Sequence, residues 1–138
     1  MKIMQALHVA IAVTDLDRAA TFYGEVLGLP LADHPLNFPG LWYQVGDFQI
    51  HLIQCQGNER SPIAPQFDAQ RWGRNPHVAL AVPDVAAIAN RLEAAGHTVQ
   101  RSASGRSAIF VRDPDGNVLE FSVLEARVLE FSAVAPLP

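Results

Sequence analysis

Four residues of types that bind metal ions occupy two pairs of equivalent positions in this chain. His8 and His77 lie 69 residues apart, and His51 and Glu120 lie 69 residues apart as well. This spacing is half of the 138-residue length, and the segments around these residues repeat too. Each half of the chain therefore offers two metal ligands. Together the halves offer four, which is enough to hold an ion and leave coordination positions open for a substrate.

The donor atoms of these four residues limit which metal ions could bind. Imidazole and carboxylate ligands suit Zn, Fe, Ni, Co or Mn, whereas Cu(I) and iron–sulfur clusters prefer thiolates. A single histidine on a strand is more often an ordinary structural residue. His51 and Glu120, however, occupy the same position of the two repeats, and both residue types can bind a metal although they differ. Open coordination positions indicate a catalytic ion that polarises a substrate oxygen. We therefore predict a divalent metal site formed by His8, His51, His77 and Glu120.

The repeat also predicts the elements that position these side chains. His8-Val-Ala-Ile-Ala-Val13 recurs as His77-Val-Ala-Leu-Ala-Val82, and both segments are typical of strands. Each is followed by an amphipathic helix with an aspartate N-cap and a C-terminal glycine, from Asp15 to Gly28 and from Asp84 to Gly96. Within each strand the histidine shares a face with alanines, and the branched residues face the helix. Small alanine side chains leave volume for a cavity beside the histidines.

Three more strands are expected after each helix, so each half has the order β-α-β-β-β. The opening strand, Leu7–Val13, is predicted to be buried on both faces because it is almost wholly apolar. The other predicted strands are Leu29–Asp33, Leu41–Val45 and Phe48–Cys55 in the first half, and Thr98–Ser102, Ser107–Arg112 and Val118–Val123 in the second. The predicted fold class is α+β, with two tandem βαβββ modules forming a curved mixed sheet around a metal cavity.

The boundaries follow from the repeat. Within a single domain, module one spans residues 1–55, a connector 56–76, module two 77–123 and a tail 124–138. The connector is most simply a surface linker, although a loop of this length is often a lid or a binding loop. Val118-Leu-Glu-Phe-Ser122 recurs in the tail as Val128–Ser132. Only the first copy lies at the 69-residue offset, so Glu130 is not predicted to bind metal.

Composition excludes several classes of function. Hydrophobic residues make up 49% of the chain and charged residues 17%, which predicts a globular domain with a substantial core. A net charge of −4 without a basic cluster argues against nucleic-acid binding. No apolar run is long enough to span a membrane. The single cysteine, Cys55, cannot form an internal disulfide, and no signal peptide is evident, so we expect a cytoplasmic protein.

These features together resemble the vicinal oxygen chelate superfamily. That superfamily includes glyoxalase I, extradiol dioxygenases, fosfomycin-resistance thiol transferases, methylmalonyl-CoA epimerase and bleomycin-binding proteins. The resemblance covers about residues 5–124 and is carried by four segments: His8–Leu16, Phe22–Leu29, His77–Val82 and Phe110–Glu120. It implies a homodimer that binds a small-molecule substrate. The site would draw His8 and His51 from one chain and His77 and Glu120 from the other, or all four from one chain.

Position by position, the resemblance also implies roles. His8, His77 and Glu120 match the His-His-Glu triad of the dioxygenases and fosfomycin enzymes. His51 matches the fourth ligand position of glyoxalase I, where glutamate is usual. The first hypothesis is a glyoxalase I-like isomerisation in which the ion stabilises an enediolate, with Glu120 as the favoured base and His51 as the alternative. The other hypotheses are an extradiol-type dioxygenase, a fosfomycin-type thiol transferase and a small-molecule-binding protein without catalysis.

Overall fold

The computed structural model describes residues 1–33, 37, 39–55 and 68–124, which form two sheets with helices packed against them. One sheet has the strand order β1-β3-β2 and the other the order β4-β7-β6-β5, so the predicted α+β class is confirmed. In chain order the elements are β1 (His8–Val13), α1 (Leu16–Ala20), a π-helical segment (Thr21–Val26), β2 (Gly40–Val45), β3 (Phe48–Gln54), a 3-10 turn (Trp72–Arg74), β4 (His77–Ala81), α2 (Val85–Ala94), β5 (Val99–Arg101), β6 (Ala108–Arg112) and β7 (Val118–Ser122).

The sequence repeat is also a repeat of strand register. β1 pairs in parallel with β3, which places Ala10 opposite His51. β4 pairs in parallel with β7, which places Ala79 opposite Glu120. The histidines that begin β1 and β4 lie two residues before these alanines and therefore on the same face. The register thus brings the two predicted ligands of each half to neighbouring strands and to one face of each sheet.

The opposite face of each sheet is packed under the helices, as predicted. Ile11 and Val13 of β1 and Leu80 of β4 are buried there, together with Ala89 and Leu92 of α2. Burying these apolar side chains removes them from water and stabilises the fold. None of the helices in the described residues is long and apolar enough to cross a membrane.

Both predicted helix N-caps are present. The Asp15 carboxylate accepts a hydrogen bond from the backbone N–H of Arg18 at 3.0 Å, and that of Asp84 accepts one from Ala87 at 3.1 Å. These contacts satisfy amide groups that lack partners in the first turn of a helix. Each helix therefore begins at a fixed residue after the strand that carries a predicted ligand.

The strand predicted at Leu29–Asp33 is wrong. This segment makes only an isolated bridge, between Leu31 and Tyr43 of β2. Pro30 has no N–H to donate, so a regular ladder cannot continue through it. In the described residues, module one therefore has one strand fewer than module two.

The single helix predicted between Asp15 and Gly28 is α-helical only in its first part. After Ala20 the hydrogen bonding becomes π-helical, with the N–H of Leu27 donating to the carbonyl of Phe22 at 2.9 Å. Gly24 lies in this wider turn, where a Cβ would come 3.3 Å from the phenol oxygen of Tyr43. Close packing of the Tyr43 ring against the glycine backbone accompanies the change, and the hydrophobic spacing alone did not reveal it.

The prediction that the first strand is buried on both faces is also wrong. His8 and Ala10 are exposed, as are Ala79 and Ala81 at the equivalent positions of β4. The described part of one chain leaves this face of both strands open to solvent. An apolar strand pattern cannot distinguish a face covered by the same chain from one covered by a partner.

The turn Asp113–Gly116 of module two is hydrogen-bonded to module one. Its Asp115 carboxylate accepts a hydrogen bond from the Thr14 hydroxyl at 2.6 Å, and the Thr14 N–H donates to it at 3.1 Å. Directly after the turn, the Asn117 amide donates to the carbonyl of Ala12 at 3.0 Å. Polar contacts from one turn of module two therefore hold the end of β1 in module one.

A buried carboxylate forms the centre of this junction. Asp113 is only 4% exposed, and it accepts the Tyr23 hydroxyl at 2.8 Å and the Asn117 side-chain amide at 2.9 Å. The backbone N–H groups of Asp115 and Asn117 donate to its other oxygen, each at 2.9 Å. Burial raises the pKa of the Tyr23 phenol well above its usual value, so the hydroxyl stays a donor. Burial also raises the pKa of Asp113, and these hydrogen bonds oppose that shift.

The described end of the connector packs on module two. The turn Trp72–Arg74 lies against β6, where a Cβ on Gly73 would come within 2.5 Å of the Phe110 ring, so glycine is required for this approach. The earlier part of the connector, residues 56–67, and the repeated segment Val128–Ser132 lie outside the described residues.

Candidate functional site

The two predicted ligands of module one stack on each other. The ring centroids of His8 and His51 are 4.1 Å apart, and the ring planes differ by 14°. Trp42 lies directly opposite His51 on β2, and its ring stacks on the histidine at 3.9 Å with an angle of 5°. His51 is therefore held between two aromatic rings and is only 8% exposed. We call His8 and His51 the module-one pair.

A chain of side-chain amides reaches His51 from the β2–β3 hairpin. The Nε2 atom of His51 lies 2.8 Å from Oε1 of Gln49, and Nε2 of Gln49 donates to Oε1 of Gln44 at 2.8 Å. The Gln44 amide in turn donates to the backbone carbonyl of Gly46 at 2.6 Å. Sequence reasoning missed these glutamines, although alternate spacing on β3 places Gln49 and His51 on one face.

The two predicted ligands of module two are also in contact, and we call them the module-two pair. The Nε2 atom of His77 lies 3.3 Å from Oε2 of Glu120. The Nδ1 atom of His77 lies 2.6 Å from the backbone carbonyl of Asn75. Because a carbonyl can only accept, Nδ1 of His77 donates to it, and Nε2 faces the carboxylate. The Asn75 side chain is buried and donates to backbone carbonyls of its own loop, which fixes that loop.

Arg106 holds the other oxygen of Glu120. Its Nη2 atom lies 2.5 Å from Oε1 of Glu120, whose side chain is 7% exposed, whereas the arginine side chain is 50% exposed. Phe110 of β6 pairs directly with Glu120 of β7. Its ring packs edge-on against that of His77, with the ring centroids 5.5 Å apart. The sequence contained no signal for the Arg106 contact, because that residue lies in the irregular loop before β6.

The geometry of the predicted ligands fits a divalent ion in the module-two pair but not in the module-one pair. Their donor types suit one, and the 3.3 Å between His77 and Glu120 matches two atoms that each lie about 2.0–2.2 Å from one ion. The rings of the module-one pair are nearly parallel, so their in-plane lone pairs cannot both point at one ion unless one ring turns. Within the described residues, no three His, Cys, Asp or Glu side chains come together as a metal-binding group. The described part of the chain therefore presents the predicted ligands as two separate pairs.

A cavity of about 370 Å³ lies between β1 and β4. His77 lines it, but the other three predicted ligands do not. Its walls are mainly apolar, with Val9, Ile11, Val78 and Val118 on the two sides and Asn75 and Asn117 at its polar positions. The cavity therefore marks the gap between the two sheets and is not a metal site by itself.

The chain matches one known protein family over most of its length. Residues 5–121 match the family model described as the Glyoxalase/Bleomycin resistance protein/Dioxygenase superfamily. The chain is 31% identical to lactoylglutathione lyase of Haemophilus influenzae, over 86% of this chain and 91% of that protein. It is 34% identical to the glutathione transferase FosA of Serratia marcescens, over 88% and 83% respectively. A glyoxalase family protein from Bacillus anthracis has a similar structure, with a TM-score of 0.68 and 25% identity, covering 88% of this chain and 95% of that one.

Proposed function

Because this chain belongs to the Glyoxalase/Bleomycin resistance protein/Dioxygenase superfamily, we propose that it is a metal-dependent enzyme of the lactoylglutathione lyase type. Its substrate would be the adduct of glutathione with a 2-oxoaldehyde, which carries a hydroxyl and a carbonyl on neighbouring carbons. The names of both relatives described above specify glutathione chemistry, which supports this choice of substrate.

The module-two pair carries the proposal of a metal. Nε2 of His77 lies 3.3 Å from Oε2 of Glu120, while Nδ1 contacts the carbonyl of Asn75. This separation suits two atoms that bind one ion, each at about 2.0–2.2 Å. A divalent ion of the type preferred by imidazole and carboxylate, such as Zn, Ni, Fe, Co or Mn, would satisfy both at once.

The geometry favours different roles for the two proton-transfer candidates. Bound at this site, the ion would polarise the substrate carbonyl and ease loss of the neighbouring proton. We assign its ligands as His8, His77 and Glu120. Arg106 contacts one Glu120 oxygen at 2.5 Å, and His77 faces the other oxygen, so both carboxylate oxygens are already engaged. The stacked rings of His8 and His51 cannot both direct an in-plane lone pair at one ion, so His51 is assigned the proton transfer.

We propose that two chains share each site. The module-one pair and the module-two pair do not converge within the described part of one chain. His8, Ala10 and Ala79 are exposed on the faces that carry the pairs. Large hydrophobic side chains are also exposed, which is typical of a surface covered by a partner: Ile3, Met4, Leu7, Leu31, Ile53, Val123 and Leu124. A homodimer that covers these residues would place one pair of each chain against the other pair of its partner.

Turnover of the methylglyoxal–glutathione adduct by the metal-loaded protein tests the assignment. We expect thioester formation in the wild-type protein after reconstitution with at least one of the five metals. His51→Ala should lower kcat by about 10²–10⁴-fold, which is the usual contribution of a general base, and should keep the bound ion. The readouts are absorbance of the thioester and metal content of the same samples.

The matched control is His97→Ala, because the His97 ring packs edge-on against Phe22 in the core. This variant should keep both kcat and metal content near the wild-type values. Absence of thioester formation by metal-loaded wild-type protein would contradict the lyase assignment. Loss of the ion in His51→Ala would instead show that His51 is a ligand and not the base.

A second candidate function is the transfer of glutathione to an epoxide. The 34% identity to a glutathione transferase favours it. The same metal-loaded samples can be assayed with glutathione and fosfomycin. Conjugate formation without thioester formation would replace the first assignment with this one.

A further inference from the structure

The last part of the connector folds around the side chain of Asn75, and we call residues 68–75 the connector end. Asn75 is only 5% exposed, and its Nδ2 atom donates to the backbone carbonyls of Asp68 at 2.7 Å and Trp72 at 3.1 Å. Its Oδ1 atom accepts from the N–H of Asp68 at 3.1 Å. The Asp68 carboxylate accepts from the N–H of Arg71 at 2.8 Å. Both ends of one buried amide therefore fix the course of this segment.

Gln100 of β5 fastens the connector end to module two. Its Oε1 atom accepts from the N–H of Trp72 at 2.8 Å, and its Nε2 atom donates to the carbonyl of Gln70 at 2.6 Å. Gln100 pairs with Phe110 on β6, and Phe110 pairs with Glu120 on β7, so these three side chains lie on one face of the sheet. The connector end is therefore bound to the face that carries the module-two pair.

The connector end also determines how the His77 ring is turned. The backbone carbonyl of Asn75 lies 2.6 Å from Nδ1 of His77, and Nε2 lies 3.3 Å from Oε2 of Glu120. Because one ring nitrogen is bound to the carbonyl, the other is directed at the carboxylate. The Phe110 ring packs against the His77 ring and against Gly73 of the connector end, so the three move together. A displaced connector end would turn the ring away from Glu120.

The equivalent residue of module one cannot form these hydrogen bonds. Asn75 lies 69 residues after Ala6, which is exposed and has only a methyl side chain. The His8 ring stacks on that of His51 instead, with the centroids 4.1 Å apart. The repeat therefore preserves the histidines but orients their rings by different contacts.

We propose that Asn75 and Gln100 are positioning residues that hold the His77 ring in the orientation in which it binds the metal ion. The proposal rests on the assignment of His77 as a metal ligand. It makes the connector end a fixed support of the site, in place of a lid or a passive linker. Such outer partners raise metal affinity because they orient the ligand before the ion binds.

Zinc binding by the full-length protein tests this role. Asn75→Ala should weaken Zn binding by about 10–100-fold, the usual effect of removing an outer partner of a metal ligand. Gln100 hydrogen-bonds to the connector end and not to His77, and Gln100→Leu should weaken Zn binding by about tenfold, at the lower end of that range. Competition titration with a chelator measures both affinities. The visible spectra of the Co(II)-loaded variants should also differ from that of the wild-type protein, because the orientation of the imidazole changes.

A second readout needs no metal and separates positioning from stability. In the metal-free wild-type protein we expect nuclear Overhauser contacts between the rings of His77 and Phe110, whose centroids are 5.5 Å apart. These contacts should weaken in Gln100→Leu at a temperature at which circular dichroism shows the variant to be folded. The matched control is Asn90→Ala, which changes an exposed asparagine on α2 and should alter neither Zn affinity nor ring contacts.

Wild-type Zn affinity and ring contacts in folded Gln100→Leu would overturn the proposal, whether or not Asn75→Ala folds. A merely structural role would give that result together with a lower urea midpoint. Wild-type protein without Zn affinity would contradict the metal site on which the proposal rests. Inactive wild-type protein with the expected Zn affinity and ring contacts would contradict the lyase assignment alone.

Discussion

Glu120→Gln is expected to bind the divalent ion at least about 100-fold more weakly than the wild-type protein. Loss of an outer hydrogen-bond partner alone costs about 10–100-fold in metal affinity, and Glu120 is the only carboxylate among the proposed ligands. The change also leaves the positive charge of Arg106 beside the ion without the anion that it contacts at 2.5 Å. Metal content after dialysis against a weak chelator, and titration calorimetry, measure the effect.

The control for this prediction is Glu93→Gln on α2. Glu93 is a half-exposed carboxylate whose closest basic partner, Arg101, lies 4.0 Å away. It carries the same charge as Glu120 and lies on a helix, away from the strands that carry the two pairs. Its variant should retain the full metal content. Equal metal content in Glu120→Gln and Glu93→Gln would remove Glu120 from the ligand set.

Asp113→Ala should lower the free energy of unfolding by about 3 kcal/mol. Its carboxylate accepts hydrogen bonds from the Tyr23 hydroxyl, the Asn117 amide and two backbone N–H groups in a site that is 4% exposed. Removing it leaves several buried donors unsatisfied, at about 1–3 kcal/mol each before water or rearrangement compensates. Urea unfolding at a fixed protein concentration measures the loss, since dimerisation would make stability depend on concentration.

Two further variants, with smaller expected losses of stability, serve as comparisons for Asp113→Ala. Tyr23→Phe removes only one donor to Asp113 and should cost about 1 kcal/mol. Asp47→Ala changes an exposed aspartate in the β2–β3 turn and should stay within about 0.5 kcal/mol of the wild-type protein. A loss below about 1 kcal/mol in Asp113→Ala would show that this carboxylate does not hold the modules together.

Local patterns predicted the parts of the fold that depend on local interactions. The aspartate caps, the strand–helix order and the shared face of His8 and Ala10 follow from residue spacing, and all are present. The strand predicted at Leu29–Asp33 is absent, because Pro30 limits this segment to a single bridge.

The sequence could not predict those contacts of the site that depend on how separate segments of the chain pack together. The spacing of 69 residues predicted both pairs, because a repeated register brings equivalent residues to equivalent neighbours. It could not reveal Arg106, whose contact with Glu120 depends on the course of an irregular loop. Nor could a strand pattern show that the face of β1 bearing His8 lies open in one chain, since an interface and a core require the same apolar residues.

We propose that each metal site combines the module-one pair of one chain with the module-two pair of another. Co-expression of two differently tagged chains, His8→Ala/His51→Ala and His77→Ala/Glu120→Gln, tests it by metal content. In the mixed dimer one shared site carries all four changes and the other carries none. If two chains share each site, we expect one tightly bound ion per mixed dimer and none in either homodimer. A folded mixed dimer without tightly bound metal, prepared beside metal-loaded wild-type protein, would contradict it.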